Sequence, residues 1–262
     1  MISYRKLAMR ILGRPLTFLG GGVYKTRPLP QRAAALALTA ALLTGAAFPA
    51  FAGTYYIEDG DIVISAGTKT GTNKVEQTGK ETVENDRDTI VTNRKEDTAS
   101  SHTVTINAED KNDNVEVKLK DVNIDGRSQN KAAVSVTGSG NTTIELDGSN
   151  TLKSGSGHAG LEHNKTDTSG ELTIQDNDKN GSLKAAGGQY GAGIGGAGAA
   201  NDAQVKITGG KITATGGEYG AGIGGSIGNA GQVTITGGNI TATGGDQGAG
   251  IGGGIFGSGD VT

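Results

Sequence analysis

Short apolar runs alternate with Thr, Lys or Gly through the second half of the chain, and the alternation itself repeats. The unit VKITGGKITATGGEYGAGIGG is followed by VTITGGNITATGGDQGAGIGG, and GAGIGG occurs at 191–196, 220–225 and 248–253, at spacings of 29 and 28 residues. Val205, Ile207, Ile212, Ala214, Ala221 and Ile223 recur 28 residues later as Val233, Ile235, Ile240, Ala242, Ala249 and Ile251. A two-residue period predicts strands with one buried face. Glycine pairs close each run and supply the positive-φ geometry of tight turns. Each unit is expected to hold three short strands and three turns.

The same columns continue upstream in degraded form. Leu172, Ile174, Leu183, Ala185, Ala192 and Ile194 fill them in one coil, with four extra residues between Ile174 and Leu183. Ile144, Leu146, Leu152, Ala159 and Leu161 fill the coil before it, and Val117, Leu119, Ile124, Ala132 and Val134 the one before that. Nearer the N-terminus only fragments stand out, at 61–64, 89–91 and 104–106, and the register of 66–101 stays open. A repeat of about 28 residues with three strands per unit predicts an all-β parallel β-helix, a solenoid in which every coil hydrogen-bonds to the next. The expected organisation is irregular first coils or a cap over 53–114 and a regular helix over 115–262. Val261 falls 28 residues after Val233, inside a strand of a further coil, so a longer protein with a C-terminal wall anchor is expected.

Composition sharpens this picture. The first 52 residues hold all four prolines, seven of the 24 basic residues and no acid, which leaves 17 basic and 27 acidic residues beyond them, a net charge of −10. Binding of nucleic acid by a basic face is excluded at that balance. The absence of cysteine removes disulfide frameworks, thiolate zinc sites and cysteine nucleophiles. Only five aromatic residues follow position 52, too few for a spherical core of this length. Residues 1–52 read as a signal peptide: Arg27 and Arg32 precede the small and apolar run from Ala33 to Phe48, and Ala50-Phe51-Ala52 forms a small-x-small cleavage site. That run has 16 residues, short of the roughly 20 that cross a bilayer. The mature chain is expected to be secreted, to sit at a bacterial cell surface and to keep no transmembrane segment.

Candidate chemistry is sparse. Hydrolases and lyases need clustered acids, or calcium with a basic residue, in one groove. In the regular coils 203–259 the acids are Glu218 and Asp246, one coil apart in the same turn, and no catalytic residue is expected. Asp176-Asn177-Asp178-Lys179-Asn180-Gly181 matches the start of a calcium loop, with Asp176, Asp178 and Asn180 as alternate oxygen donors. The twelfth position is Gly187 instead of glutamate, so a plain turn competes with that reading. Asp121, Asn123 and Asp125 repeat the pattern, but Ile124 belongs to a core column. His158, Glu162 and His163 are adjacent in sequence, yet strand alternation sends His163 to the face opposite the other two, which disfavours zinc. Tyr190 and Tyr219 occupy one turn position in successive coils and suggest a sugar-stacking platform, with Glu218 and Asp246 beside them. Thr213, Thr215, Thr241 and Thr243 form an outward array in two coils only, which reads as ordinary strand surface.

The segments VEVKLKDVNIDG (115–126), NTTIELDGSNTLKSGSGHAGLEHN (141–164) and ELTIQDNDKNGSLKAAGGQYGAGIGG (171–196), with the VTITGGNITATGG units after them, resemble the β-helical carbohydrate-binding-domain surface proteins of anaerobic Gram-positive bacteria. The resemblance covers about residues 57–262 and carries no catalytic signature. It implies a right-handed helix of pectate-lyase-like shape, secretion, and binding of plant polysaccharide with calcium. The functional expectation is a non-catalytic surface β-helix that binds polysaccharide or acts as an adhesin. The binding or spacer part of a larger polysaccharide-degrading enzyme, and a purely structural rod, remain open beside it. An acidic polymer is expected to need calcium, because a chain of −10 repels it.

Overall fold

Each coil visits three sheets in turn. Asn114–Lys120 lies in the first sheet, Asn123–Asp125 in the second and Val134–Thr137 in the third, before Asn141–Asp147 opens the next coil beside Asn114–Lys120. The structure is a computed structural model that describes residues 53–164, 170–198, 203–228 and 231–262, all within one compact unit, Pro49–Thr262. The export signal expected over residues 1–52 lies outside the described residues. Among those residues the fold is an all-β parallel β-solenoid of about six turns with about 28 residues per turn. No helix among them is long and apolar enough to cross a membrane.

The pairing brings like residues together. Val205 meets Val233 and Ile207 meets Ile235 in the first sheet, Ile212 meets Ile240 and Ala214 meets Ala242 in the second, and Ile223 meets Ile251 in the third. Their inward columns form the core: Val117, Leu119, Ile124, Ile144, Leu152, Leu161, Ile174, Leu183, Ile194, Ile212 and Ile223 are all fully buried. Each such side chain contributes about 1.5–3 kcal/mol through removal from water. The glycine after the third-sheet isoleucine has a specific role. Gly195, Gly224 and Gly252 share φ of 125°, 127° and 128°, and a Cβ on Gly224 would lie 2.0 Å from the carbonyl oxygen of Gly252. The GAGIGG repeat is thus a backbone requirement of close-packed coils.

Upstream of Leu172 the register departs from the sequence expectation by two residues. Ile144 pairs with Ile174, and the partner of Leu172 is Thr142, which in turn faces Val115. Strand alternation is blind to a two-residue slip, because both registers keep the same face inward. The consequence is a hydroxyl in the core: Thr142 is 1% exposed and its Oγ1 has no hydrogen-bond partner. Asn150, also inward and fully buried, is satisfied instead. Its Oδ1 accepts from the Val122 amide at 2.9 Å, and its Nδ2 donates to the carbonyls of Asp147 and Ser182, both at 3.1 Å.

The segment of open register contains an antiparallel excursion. Ile62–Ala66 pairs on one side with Val104–Asn107 in parallel and on the other with Asn73–Gln77, which pairs with Val83–Asp86. The excursion covers the first edge of the third sheet, an edge that would otherwise template aggregation. It is tied to the first sheet by Asn73 Nδ2, which donates to Thr89 Oγ1 at 2.9 Å and to the Glu116 carbonyl at 2.6 Å. Asp86 accepts from the Gly53 amide and the Thr89 hydroxyl, both at 3.0 Å.

Two substitutions test the columns with opposite signs. Ile223→Asp places a carboxylate in the core one coil from the last described third-sheet strand and is expected to cost about 4 kcal/mol or more, with neighbouring coils lost together. Thr142→Val removes an unsatisfied hydroxyl and is expected to stabilise by about 1 kcal/mol, which for a chain of this size is a rise of roughly 2–4 °C. Thermal melts followed by circular dichroism read both, and an unchanged melt for Ile223→Asp would refute the column assignment.

Candidate functional site

The four residues inserted between Ile174 and Leu183 set the site. The strand Leu172–Gln175 ends at Asp176, whose Oδ1 accepts from the amides of Asn180 at 3.2 Å and Gly181 at 3.1 Å. This side-chain-closed turn, with Lys179 at φ 62°, folds the loop back toward the previous coil. There Asn177 clamps Glu145: its backbone amide and its Nδ2 donate to the two carboxylate oxygens, each at 2.7 Å. Carboxylate oxygens of Glu145, Asp176 and Asp178 consequently lie within 4.8 Å of one another. Such a set of hard oxygen donors suits calcium in chemistry and spacing.

The sequence named Asp176, Asp178 and Asn180 for this role. The structure brings the first two together with Glu145, while Asn180 turns its Oδ1 to the Gly148 amide at 3.3 Å. Glu145 escaped sequence reasoning because it belongs to the preceding coil. The register that pairs Glu145 with Gln175, the residue before the loop, is the one displaced by two residues from the sequence columns, so those columns did not point to it. The second loop pattern is dispersed: Asp121 accepts from the Ser149 amide at 2.8 Å, Asp125 pairs with Arg127 at 2.6 Å, and Asn123 donates to the Glu96 carbonyl at 2.8 Å. The Arg127 guanidinium holds the Asp125 carboxyl below its ordinary value.

Beside the loop, a groove of about 360 Å³ runs over the outer face of the first sheet. Arg87, Asp88, Thr89, Glu116, Lys118, Glu145, Asn177 and Asp178 line it, so it crosses successive coils along the solenoid. A smaller hollow of about 140 Å³ continues it and shares Arg87 and Glu116. Glu116 and Lys118 face out because Val115, Val117 and Leu119 face in. Sequence reasoning passed over Arg87, Asp88, Glu116 and Lys118, since charged residues on alternate strand positions look like any solvated face.

Tyr190, Tyr219, Glu218 and Asp246 gather at a different place, the turn between the second and third sheets. The two rings stack at 5.3 Å between centroids and 9° between planes. Their facing surfaces are therefore occupied by each other, and the outer faces and edges of the pair are what remains. Gln189 Nε2 donates to Glu218 Oε2 at 2.9 Å. The Tyr219 hydroxyl, then Gln189, hold the Glu218 carboxyl below its ordinary value, and Glu218 pushes the Tyr219 phenol up. One coil earlier at this turn, His158 Nδ1 lies 2.8 Å from Glu162 Oε2. Glu162 is 3% exposed, buried instead of facing solvent, and His163 is buried at 1% with its Nδ1 accepting from the Gln204 amide at 3.3 Å.

A beta helix repeat family model matches residues 205–228 and 233–255, the two most regular coils. Comparison with curated proteins and with solved structures gave no match. Fold and repeat match thus agree on a parallel β-helix protein.

The stacked rings carry a stability prediction. Gln247 follows Tyr219 at the same turn position, its amide donating to the Glu218 carbonyl at 3.0 Å. Gln247→Tyr extends the stack by a third ring, which is expected to add about 0.5–1.5 kcal/mol. A rise of a few degrees in melting temperature checks it, and an unchanged or lower melt would show that the ladder does not set the register of this turn.

Proposed function

We propose that this chain is a secreted, non-catalytic β-helix that holds polysaccharide at a bacterial cell surface. The observation that carries the reading is the groove over the first sheet, whose eight lining side chains are all polar or charged and come from several coils. A linear, hydroxyl-rich polymer laid along the solenoid meets a fresh set of hydrogen-bonding groups at each coil, about every 4.8 Å. The resemblance of residues 57–262 to carbohydrate-binding surface proteins supports the same class. A binding role is supported by Glu145. Both its oxygens accept from Asn177, which fixes the carboxylate in place as an oriented acceptor for a bound ligand.

The cluster of Glu145, Asp176 and Asp178 supports a calcium-dependent form of this reading. Three carboxylates at that spacing repel one another and an anionic polymer alike. Calcium takes six to eight oxygen ligands, so it joins protein carboxylates to sugar carboxylates and reverses both repulsions.

Retention on polygalacturonate, with calcium or with chelator, tests the proposal. The wild type is expected to be retained with calcium and released by chelator, and Asp178→Ala to lose most of that retention. Equal retention in both conditions would remove calcium from the account. Absence of retention on acidic and neutral polysaccharides alike would overturn polysaccharide binding and leave a structural rod. Fractionation of the producing cells checks the surface location.

A further inference from the structure

The tyrosine stack has one end that the fold leaves open. The rungs of the ladder follow a fixed pattern: the amide of Gln247 donates to the carbonyl of Glu218 at 3.0 Å, that of Tyr219 to Gln189 at 3.1 Å, and that of Tyr190 to Ser156 at 2.8 Å. Each rung residue therefore sits over the residue after its acceptor, and the residue beneath Tyr190 is Gly157. The strand register agrees, since Ile194, four residues after Tyr190, pairs with Leu161, four residues after Gly157. Among the described residues, its chain neighbours Ser156 and His158 apart, nothing lies within 4 Å of where a Gly157 side chain would begin. Tyr190 is 37% exposed although one of its faces is covered by Tyr219. One rung of the ladder is missing, and its place is the outer face of the Tyr190 ring.

We propose that this notch is a second, calcium-independent subsite that takes one neutral pyranose residue, stacked by its apolar C–H face on Tyr190 above Gly157. The inference rests on the reading that the chain binds polysaccharide, but it places the contact on a different part of the solenoid from the groove. A sugar ring is a flat body with an apolar face and polar edges, and it fits a gap one rung high. The residue beside the notch supplies the polar complement: His158 is partly exposed and its Nδ1 lies 2.8 Å from Glu162 Oε2, so the ring is fixed by that contact and its Nε2 is left to hydrogen-bond a hydroxyl. The charge at this corner selects against uronates: Glu218 stands one rung away and Asp246 acts on Tyr219, while the groove's carboxylate cluster lies elsewhere. Small-molecule sites of this kind pair an apolar surface with a few placed polar groups.

The test adds the same ring at the two ends of the ladder. Gly157→Tyr fills the notch at a position with no positive-φ requirement, whereas Gln247→Tyr extends the far end and leaves the notch open. The probe is cellohexaose, with hexagalacturonate as the charged comparison, followed by calorimetry and by tyrosine emission, which no tryptophan masks in this chain. The wild type and Gln247→Tyr are expected to bind cellohexaose equally, with chelator or without. Gly157→Tyr is expected to bind at least tenfold more weakly while melting no lower than the wild type, and Tyr190→Ala to lose binding as well. Wild-type affinity in both Gly157→Tyr and Tyr190→Ala overturns the subsite, as does chelator-sensitive binding or a preference for hexagalacturonate. Failure of the wild type to bind cellohexaose overturns the subsite alone if polygalacturonate is still retained, and the broader reading with it if it is not.

Discussion

Parallel stacking of coils at the interstrand spacing is the constraint on which everything else in this protein depends. A coil that hydrogen-bonds to the next along three sheets fixes the axial distance between equivalent residues at about 4.8 Å. Every side chain is then judged against its own copy one turn away. Inward, that favours aliphatic columns such as Ile212 over Ile240, which interdigitate without large rings. In the third sheet it favours no side chain at all. The carbonyl of Gly252 comes so close to Gly224 that a methyl group has no room, and the backbone there adopts a φ that other residues resist. The glycine content of the chain is in this sense packing, and the low aromatic content is its counterpart.

The same constraint decides where chemistry is placed. Regular coils present a surface that repeats, and repeated surface carries little specific geometry. Specific geometry arises where a coil departs from its neighbours. The four-residue insertion after Gln175 lets Asp176 close a turn, swings Asn177 onto Glu145 and brings three carboxylates together. The excursion between Ala66 and Thr89 does the equivalent at the other end of the groove, where Arg87 and Asp88 stand just before the first-sheet strand resumes. Both walls of the groove are thus irregularities mounted on a regular floor of Glu116, Lys118 and Glu145.

Legibility in the sequence follows the same division. The coil length, the three strands per turn and the pairings Val205 with Val233 and Ile223 with Ile251 were readable, because exact repetition leaves few alternative registers. The two-residue slip at Ile144 was not, since Thr142 and Ile144 both sit on the inward parity and only tertiary packing chooses between them. Asp176 and Asp178 were legible as a loop, and Glu145 was not, because its contribution depends on which residues of another coil lie beside the insertion. The stacked tyrosines show the converse limit. Their spacing told that they would meet, but not that they would meet face to face and so leave only the outer faces of the pair open.

A solenoid also isolates its irregularities from one another. Each coil contacts only its neighbours, so stability is close to a sum of coil and interface contributions, and a change in one turn is felt about one coil away. The loop at 176–181 and Tyr190 belong to one coil but to different corners of it, with the second-sheet strand Ser182–Ala186 between them, and Tyr219 belongs to the next coil. That strand is pinned by five pairs on one side to Ser149–Lys153 and by five on the other to Lys211–Thr215, which makes it a poor conductor of displacement. A polar core residue such as Asn150 is tolerated for the same reason. Its three hydrogen bonds close within the two coils that flank it, and no distant element must adjust to accommodate it. Ligand-binding features on such a scaffold are gained or lost one loop at a time, with the hydrogen-bonded coils beneath them unchanged.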